Sequence, residues 1–362
     1  MKIGIDGRLW NESGVGRYIR NLTLGIDSKN LSDEYVIFLN KDSYGKVKFN
    51  NPKITKALSL SRWHTLSEQW KFKLEIEKQD VDLMHFTYFS YPVLYRRPFV
   101  ITIHDLIIDH FPTGVSSSLP LPIYKIKHFG YKKITSSAVK NAQKIIAPSV
   151  ATKNEIIDHY DAHPSKIEVV YEGFDPIIKG VNSVNLVSKN YILYVGNAYP
   201  HKNLDTLFRA FEKIRKKTNV DLVCIGRDDF FYKRLSKKLP EGVFILHDVD
   251  DSALFEYYTN ARLFVMPSLM EGFGLPILEA MHLSCPVVCS QTPALEEIGG
   301  AACLYFDPNS FDNLAEALIL VLSDEKLAQS LVQKGKRQAL KFSWSECVEK
   351  TLKIYESCDS LR

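Results

Sequence analysis

What most constrains this chain is an alternation. Short, nearly continuous apolar runs rich in β-branched residues are each followed by a longer stretch with helical period. In the first half the runs are Lys2–Ile5, Tyr35–Leu39, Asp82–Phe86, Phe99–His104, Lys144–Ala147 and Ile167–Tyr171. In the second half they are Tyr191–Gly196, Asp221–Gly226, Val243–Leu246, Leu263–Pro267, Pro286–Ser290 and Ala302–Phe306. A strand apolar on both faces is buried on both, and parallel neighbours need a crossover helix between them. Helical patterns at Gly16–Leu24, Leu204–Lys216, Ser252–Thr259, Pro276–His282, Phe311–Leu322 and Glu325–Leu340 supply such crossovers; Phe208, Phe211 and Ile214 recur at helical spacing. The expected class is α/β.

The chain has 362 residues, more than one hydrophobic core usually serves. Pro176–Asn190 has no period and is rich in Asn, Ser and Lys, so the interdomain linker is placed there. The expected architecture is two doubly wound, Rossmann-like domains, 1–178 and 191–342, facing across a cleft. A last helix in 343–362, with Trp344, Val348, Leu352 and Tyr355 on one side, returns to the first domain. In such sheets ligands bind beyond the carboxyl ends of the strands.

Charge excludes little overall, since the net value is only +4. Its distribution says more. No Asp or Glu occurs from His110 to Asn154, while Lys125, Lys127, Lys132, Lys133, Lys140, Lys144 and Lys153 do, interleaved with Tyr124, Phe129 and Tyr131. The basic 124–153 stretch suits an anionic membrane surface or a phosphate-bearing acceptor, or is a solvated helix face. Nucleic acid is not expected, because nothing else supports it. The six cysteines form no CxxC pair, and several sit in apolar runs, which fits a reducing compartment. The MKIGIDGR start reads as a strand rather than a signal peptide, and no run of about 18 apolar residues appears. The expected location is the cytoplasm, with peripheral contact at the inner face of the plasma membrane.

Four segments after strands carry candidate chemistry. After the first strand, Gly14 and Gly16 open a helix whose free N–H groups suit an anion; no GK[ST] follows, and Ile19 stands where a dinucleotide fingerprint needs its third glycine. His104-Asp105 ends the FVITI strand. There His104 is able to donate to a sugar hydroxyl or shuttle a proton, or the pair simply caps the strand and the next helix. Gly196 to Asn203 follows the first strand of the second half; Lys202 offers a point charge to a diphosphate beside an uncluttered Gly196 backbone. Most informative is PSLMEGFGLPILEAM, residues 267–281. The N–H groups of Phe273, Gly274 and Leu275 form an anion nest at a helix start, with Pro276 expected at the first helical position. Glu271 and Glu279, eight apart, take ligand hydroxyls.

The Glu271-x7-Glu279 pattern inside EGFGLPILEA resembles the signature of retaining glycosyltransferases of family 4, which have the GT-B fold. IDGR, GVGRY, IHD, IIAPS, VGN…HKN and the final FSW recur in that family in this order, over nearly the whole chain. HDLIIDHFP and DGRLW…GVGRY look most like the bacterial polysaccharide mannosyltransferases. The resemblance implies a nucleotide diphosphate sugar held by the C-terminal domain. Lys202 would contact the diphosphate, Phe273–Leu275 amides the phosphate or sugar oxygens, Glu271 the transferred sugar and Glu279 the ribose. Gly16 would let its loop close on the diphosphate, and His104 would touch the sugar near the reacting carbon. There are two departures. Asn197 stands where many relatives carry Arg, and the usual NG-x-D turn reads EGFD, with Glu172 in place of Asn.

The implied reaction is transfer of a hexose to a growing glycan or lipid-linked saccharide, with mannose from GDP-mannose expected and a UDP-hexose as the alternative donor. The leaving diphosphate develops charge that Lys202 and helix-end amides can stabilise, so neither cofactor nor metal is expected. Asp248-Val249-Asp250-Asp251 imitates a metal-binding DxD but opens a helix and reads as a cap. Against this stands an inactive partner protein that binds nucleotide sugar without turnover; Lys202, Glu271, Glu279 and His104 argue for the enzyme.

Overall fold

The structure is a computed structural model describing residues 1–63, 65–111, 121–174, 187–188 and 190–359. Most of the expected linker lies outside these. Chain contacts divide the molecule into two compact units that change at Gly173 and Phe174; residues from Ser343 onward belong to the first, and His110 and Phe111 group with the second.

The first unit contains β1 (Lys2–Asp6), α1 (Gly14–Asp27), β2 (Glu34–Leu39), α2 (Lys41–Tyr44), β3 (Ile54–Leu58), α3 (Glu68–Glu77), β4 (Leu83–Phe86) and β5 (Phe99–Thr102). There follow α4 (Ile107–His110), α5 (Leu121–Asn141), β6 (Lys144–Ala147), α6 (Val150–Tyr160) and β7 (Ile167–Val169). All seven strands pair in parallel in the order β3-β2-β1-β4-β5-β6-β7. The central strand β1 sets Ile3 beside both Tyr35 and Leu83. β3 has no counterpart among the expected strands. Its sequence ITKAL shows burial on only part of its length, as an edge strand does.

The second unit holds β8 (Tyr191–Val195), α7 (Leu204–Arg215), β9 (Asp221–Ile225), α8 (Phe230–Leu235), β10 (Val243–Leu246), α9 (Asp251–Asn260) and β11 (Leu263–Met266). It continues with α10 (Leu275–His282), β12 (Val287–Ser290), α11 (Pro293–Gly299), β13 (Cys303–Phe306), α12 (Phe311–Ser323) and α13 (Glu325–Ala339). Its six parallel strands run β10-β9-β8-β11-β12-β13. The amphipathic face of α7 buries Leu207, Phe208, Phe211 and Ile214 against this sheet. Asp250 accepts from the Ala253 N–H at 2.8 Å and so caps α9, the role read for it in the sequence.

Helix α14 (Trp344–Asp359) belongs to the first unit. It packs Val348 and Tyr355 into the core that contains Tyr18, Leu22 and Ile26 of α1, with Trp344 and Leu352 at its margin. The Tyr355 hydroxyl meets His85 Nδ1 at 2.6 Å, and His85 Nε2 meets the Thr102 hydroxyl at 2.8 Å. Burial, with a contribution from the nearby His104, lowers the His85 pKa to about 3, so this ring is neutral. Substituting Tyr355→Phe leaves a buried nitrogen without its partner. Urea titration should show a loss of about 1–3 kcal/mol, the ordinary cost of such an orphan; an unchanged midpoint would contradict this role.

Candidate functional site

In each sheet the order reverses once, between β1 and β4 in the first unit and between β8 and β11 in the second. Doubly wound sheets bind ligands beyond such a reversal. In the second unit the two loops flanking it are the two the sequence singled out, Gly196–Asn203 after β8 and Pro267–Gly274 after β11.

These loops are tied to each other. A short 3-10 turn, Pro200–Lys202, ends at Asn203 in the left-handed region, φ 61°. The Asn203 side-chain amide donates to the carbonyls of Pro267, at 3.0 Å, and Pro308, at 2.8 Å. The Leu269 N–H donates to the His201 carbonyl at 2.7 Å. The result brings Lys202 Nζ to 2.6 Å from Glu271 Oε1, with both side chains largely shielded from solvent. The sequence reading gave these residues separate duties, one to phosphate and one to sugar; here they are partners.

Helix α10 begins at Leu275, so Pro276 is its second residue rather than its first, and Gly274 is the N-cap at φ 103°. As the first helical residue, Leu275 has no carbonyl one turn behind it to bind its N–H. Glu279 is buried and accepts from the Tyr258 hydroxyl of α9 at 3.0 Å. Glu271 and Glu279 are thus held by different partners. The Gly196 backbone is more crowded than expected: its carbonyl accepts from the Tyr232 hydroxyl at 2.8 Å, and a β-carbon there would lie 2.7 Å from the Tyr194 hydroxyl.

The strand ends also hold features that the sequence reading missed. His201 Nδ1 and the hydroxyls of Ser268, Ser290 and Thr292 are buried without a hydrogen-bond partner. His201 and Ser268 lie after β8 and β11, Ser290 ends β12 and Thr292 follows it, all at one edge of one sheet. Buried polar atoms are nearly always paired, so such a group of orphans marks a place where water or ligand completes the bonding. Burial, reinforced by Lys202, lowers the His201 pKa to about 4 and keeps the ring neutral. Single serines and threonines give no signal in a sequence; only shared strand ends unite them.

In the first unit the loop after β1 is pinned by Arg8. Its guanidinium binds Asp6 at 2.9 and 2.7 Å and Glu68 at 2.6 Å, and lies 3.5 Å over the Phe72 ring. Gly14 starts α1 with nothing near the place a β-carbon would take, whereas at Gly16 that atom would lie 2.7 Å from the Trp10 carbonyl. Gly16 therefore serves the loop's own fold-back. His104 follows β5. Its Nδ1 lies 2.9 Å from Glu172 Oε1 and its Nε2 3.0 Å from the Thr87 carbonyl. Both ring nitrogens thus have partners in this conformation, and neither is free for a sugar hydroxyl. Burial works to lower the His104 pKa, but the Glu172 carboxylate and the Thr87 carbonyl outweigh it and the net direction is up. Asp105 accepts from the Ile107 N–H at 3.0 Å and caps α4.

Comparison with known proteins agrees with this geometry. The family described as "Glycosyltransferase Family 4" matches residues 13–177, and "Glycosyl transferases group 1" matches 181–338. An O-antigen chain mannosyltransferase B from Escherichia coli is 36% identical over 178 residues, 47% of each chain, so the match spans about half the length of that relative. The O-antigen chain mannosyltransferase RfbU of Salmonella typhimurium is 27% identical over 72% of this chain and 70% of its own. In fold, a sucrose-phosphate synthase from Thermosynechococcus elongatus superposes with a TM-score of 0.78 at 18% identity, covering 100% of both chains. HepE of Anabaena, solved with UDP and glucose, gives 0.74 at 17% identity over 99% of this chain and 100% of its own.

Gly274→Ala places a side chain at φ 103° and 2.7 Å from Leu295 Cδ2. We expect thermal or urea unfolding to show a loss of roughly 1–3 kcal/mol. An alanine tolerated without loss would mean that the α10 cap does not need this backbone conformation.

Proposed function

The chain belongs to glycosyltransferase family 4, and from that premise we propose that it moves a hexosyl group from a nucleoside diphosphate sugar to a saccharide acceptor. The observation that carries this reading is the shielded Lys202–Glu271 pair beside the start of α10, at the strand reversal of the second unit. A diphosphate takes Lys202 as its counter-ion, and the Leu275 N–H at the positive end of α10 adds to it. Glu271, released from the lysine, accepts from a hydroxyl of the transferred sugar. Glu279, fixed by Tyr258, accepts from the ribose. The orphaned His201, Ser268, Ser290 and Thr292 atoms complete their bonding with ligand or its water.

Glycosyl transfer builds positive charge at the anomeric carbon and negative charge on the departing diphosphate. Lys202 and the helix-end amides stabilise the latter, so no divalent metal is needed. The transfer retains configuration, the departing phosphate oxygen helping to take the acceptor's proton. GDP-mannose is the proposed donor, supported by the O-antigen mannosyltransferase relatives, with a UDP-hexose as the alternative. The acceptor is a growing or lipid-linked glycan.

Donor binding tests this. With EDTA present, GDP-mannose at about 100 times its Kd should stabilise the native state by about 2.7 kcal/mol, read as a higher Tm. Lys202→Ala and Glu279→Ala should each weaken binding by about tenfold or more, the worth of a hydrogen bond to a charged group. Silence with GDP-mannose and with UDP-hexoses would sink the reading. Binding without slow release of nucleoside diphosphate would favour the inactive partner.

The acceptor reading gains support from α5. Its inner side buries Tyr131, Thr135, Ala138 and Val139, while Ile126 and Phe129 are 73% and 64% exposed, among Lys125, Lys127, Lys132 and Lys133. An apolar stripe edged by lysines suits the anionic face of a membrane. No described helix is long and apolar enough to cross one. Co-sedimentation with vesicles containing phosphatidylglycerol should fall at least about fivefold in Ile126→Glu/Phe129→Glu, since each change removes buried apolar area and adds repulsion. Equal sedimentation of the two proteins would refute membrane contact through α5.

A further inference from the structure

Glu172 replaces the residue that the family resemblance leads one to expect, and the structure gives it a partner. It follows β7 by three residues, in the EGFD segment, and is buried. Its Oε1 lies 2.9 Å from His104 Nδ1, and the other ring nitrogen lies 3.0 Å from the Thr87 carbonyl. A carbonyl oxygen only accepts, so Nε2 carries a proton; otherwise two lone pairs would face each other across 3.0 Å in a buried site. One further proton lies between Nδ1 and the carboxyl group. The pair therefore holds one proton more than a neutral imidazole beside a carboxylate.

We propose that Glu172 is the positioning residue for His104, holding it as a buried imidazolium with both N–H groups satisfied inside the first unit. Such a ring cannot take up a proton. It is a standing positive charge at the carboxyl end of β5, suited to an anionic group rather than to proton abstraction. Its bearing on catalysis rests on the sugar-transfer reading; its charge state does not.

The groups around the pair fit a single cation. Asp105, next in the chain, favours it. His85 on β4 is neutral, pushed down mainly by burial and also by His104. The Tyr18 ring of α1 stands edge-on at 4.9 Å from His104, and its hydroxyl, pushed well up by burial, stays protonated. The Cys347 thiol of α14 is likewise pushed up by burial and is neutral. Tyr88 presents its ring 6.3 Å away, and the Lys350 ammonium lies 5.9 Å from the Tyr171 ring, the residue before Glu172. His104 is raised, so its charged form is present below the folded pKa and is lost as pH rises through it.

Long-range proton–nitrogen correlation on the full chain labelled with 15N-histidine tests the charge directly. At pH 7.5 the His104 ring should show two protonated nitrogens, and in Glu172→Gln it should have lost one proton at the same pH. A wild-type ring with one bare nitrogen at pH 7.5 overturns the proposal, and that spectrum needs no variant to fold. The activity arm compares wild type with Glu172→Gln on the proposed donor. At pH 7.5 kcat should fall at least about tenfold, with the donor KM within about twofold, as expected when a preorganised charge is lost. The alkaline limb of kcat should move to lower pH, because the unsupported ring loses its proton earlier. An unchanged kcat profile with an altered spectrum overturns the positioning role and leaves the buried cation standing. Absence of donor binding by the wild type would fault the sugar-transfer reading and leave the spectrum intact.

Discussion

Parallel pairing is the constraint from which the rest follows. Among the described residues thirteen strands lie in two sheets, and within each sheet every observed pairing is parallel. All strands of a sheet therefore end at one edge, and the loops that leave that edge meet although they are far apart in sequence. Lys202 and Glu271 are 69 residues apart and touch because β8 and β11 are neighbours. His104 and Glu172 are 68 apart and touch because both leave the carboxyl edge of the first sheet. Polar chemistry gathers there because those loops must satisfy their own backbone while the strands beneath are apolar on both faces.

That constraint explains what was legible beforehand. Near-continuous apolar runs such as YILYV and LFVM announce strands buried on both faces, so fold class and most strand positions could be read from period and composition. The edge strand ITKAL could not, because a lysine and partial exposure break its run. Helices α3 and α6 were not singled out, because no strong apolar stripe marks them. Glu271, Gly274 and Glu279 were visible because glycines and glutamates share one short segment. Glu172 was legible only as a departure and Tyr258 not at all, because their partners, His104 and Glu279, lie on other elements, and a lone Ser290 carries no pattern. The family of the chain was legible from several segments in order, and the two family matches bear it out.

The structure also gives new partners to residues that the sequence singled out. At Gly16 the nearby Trp10 carbonyl leaves no room for a β-carbon, and the Gly196 carbonyl accepts from Tyr232. Lys202 does not wait alone for phosphate; its charge is balanced by Glu271 until something displaces it. A shielded pair of this kind is costly to break without replacement, because either group would be left charged and poorly solvated. In the proposed complex a sugar diphosphate would supply both replacements, an anion for the lysine and hydroxyl donors for the glutamate. The histidines answer to their surroundings: burial drives His85 and His201 neutral, while the Glu172 carboxylate and the Thr87 carbonyl outweigh burial at His104 and raise it.

The central claim is that a nucleoside diphosphate sugar is held at the carboxyl edge of the second sheet. Hydrogen–deuterium exchange of the full chain, with and without saturating GDP-mannose in EDTA, tests it most directly. The account predicts slowed exchange in residues 199–203 and 268–279, where the loops after β8 and β11 meet. Unchanged exchange in both segments, with protection appearing elsewhere in the chain, would contradict it.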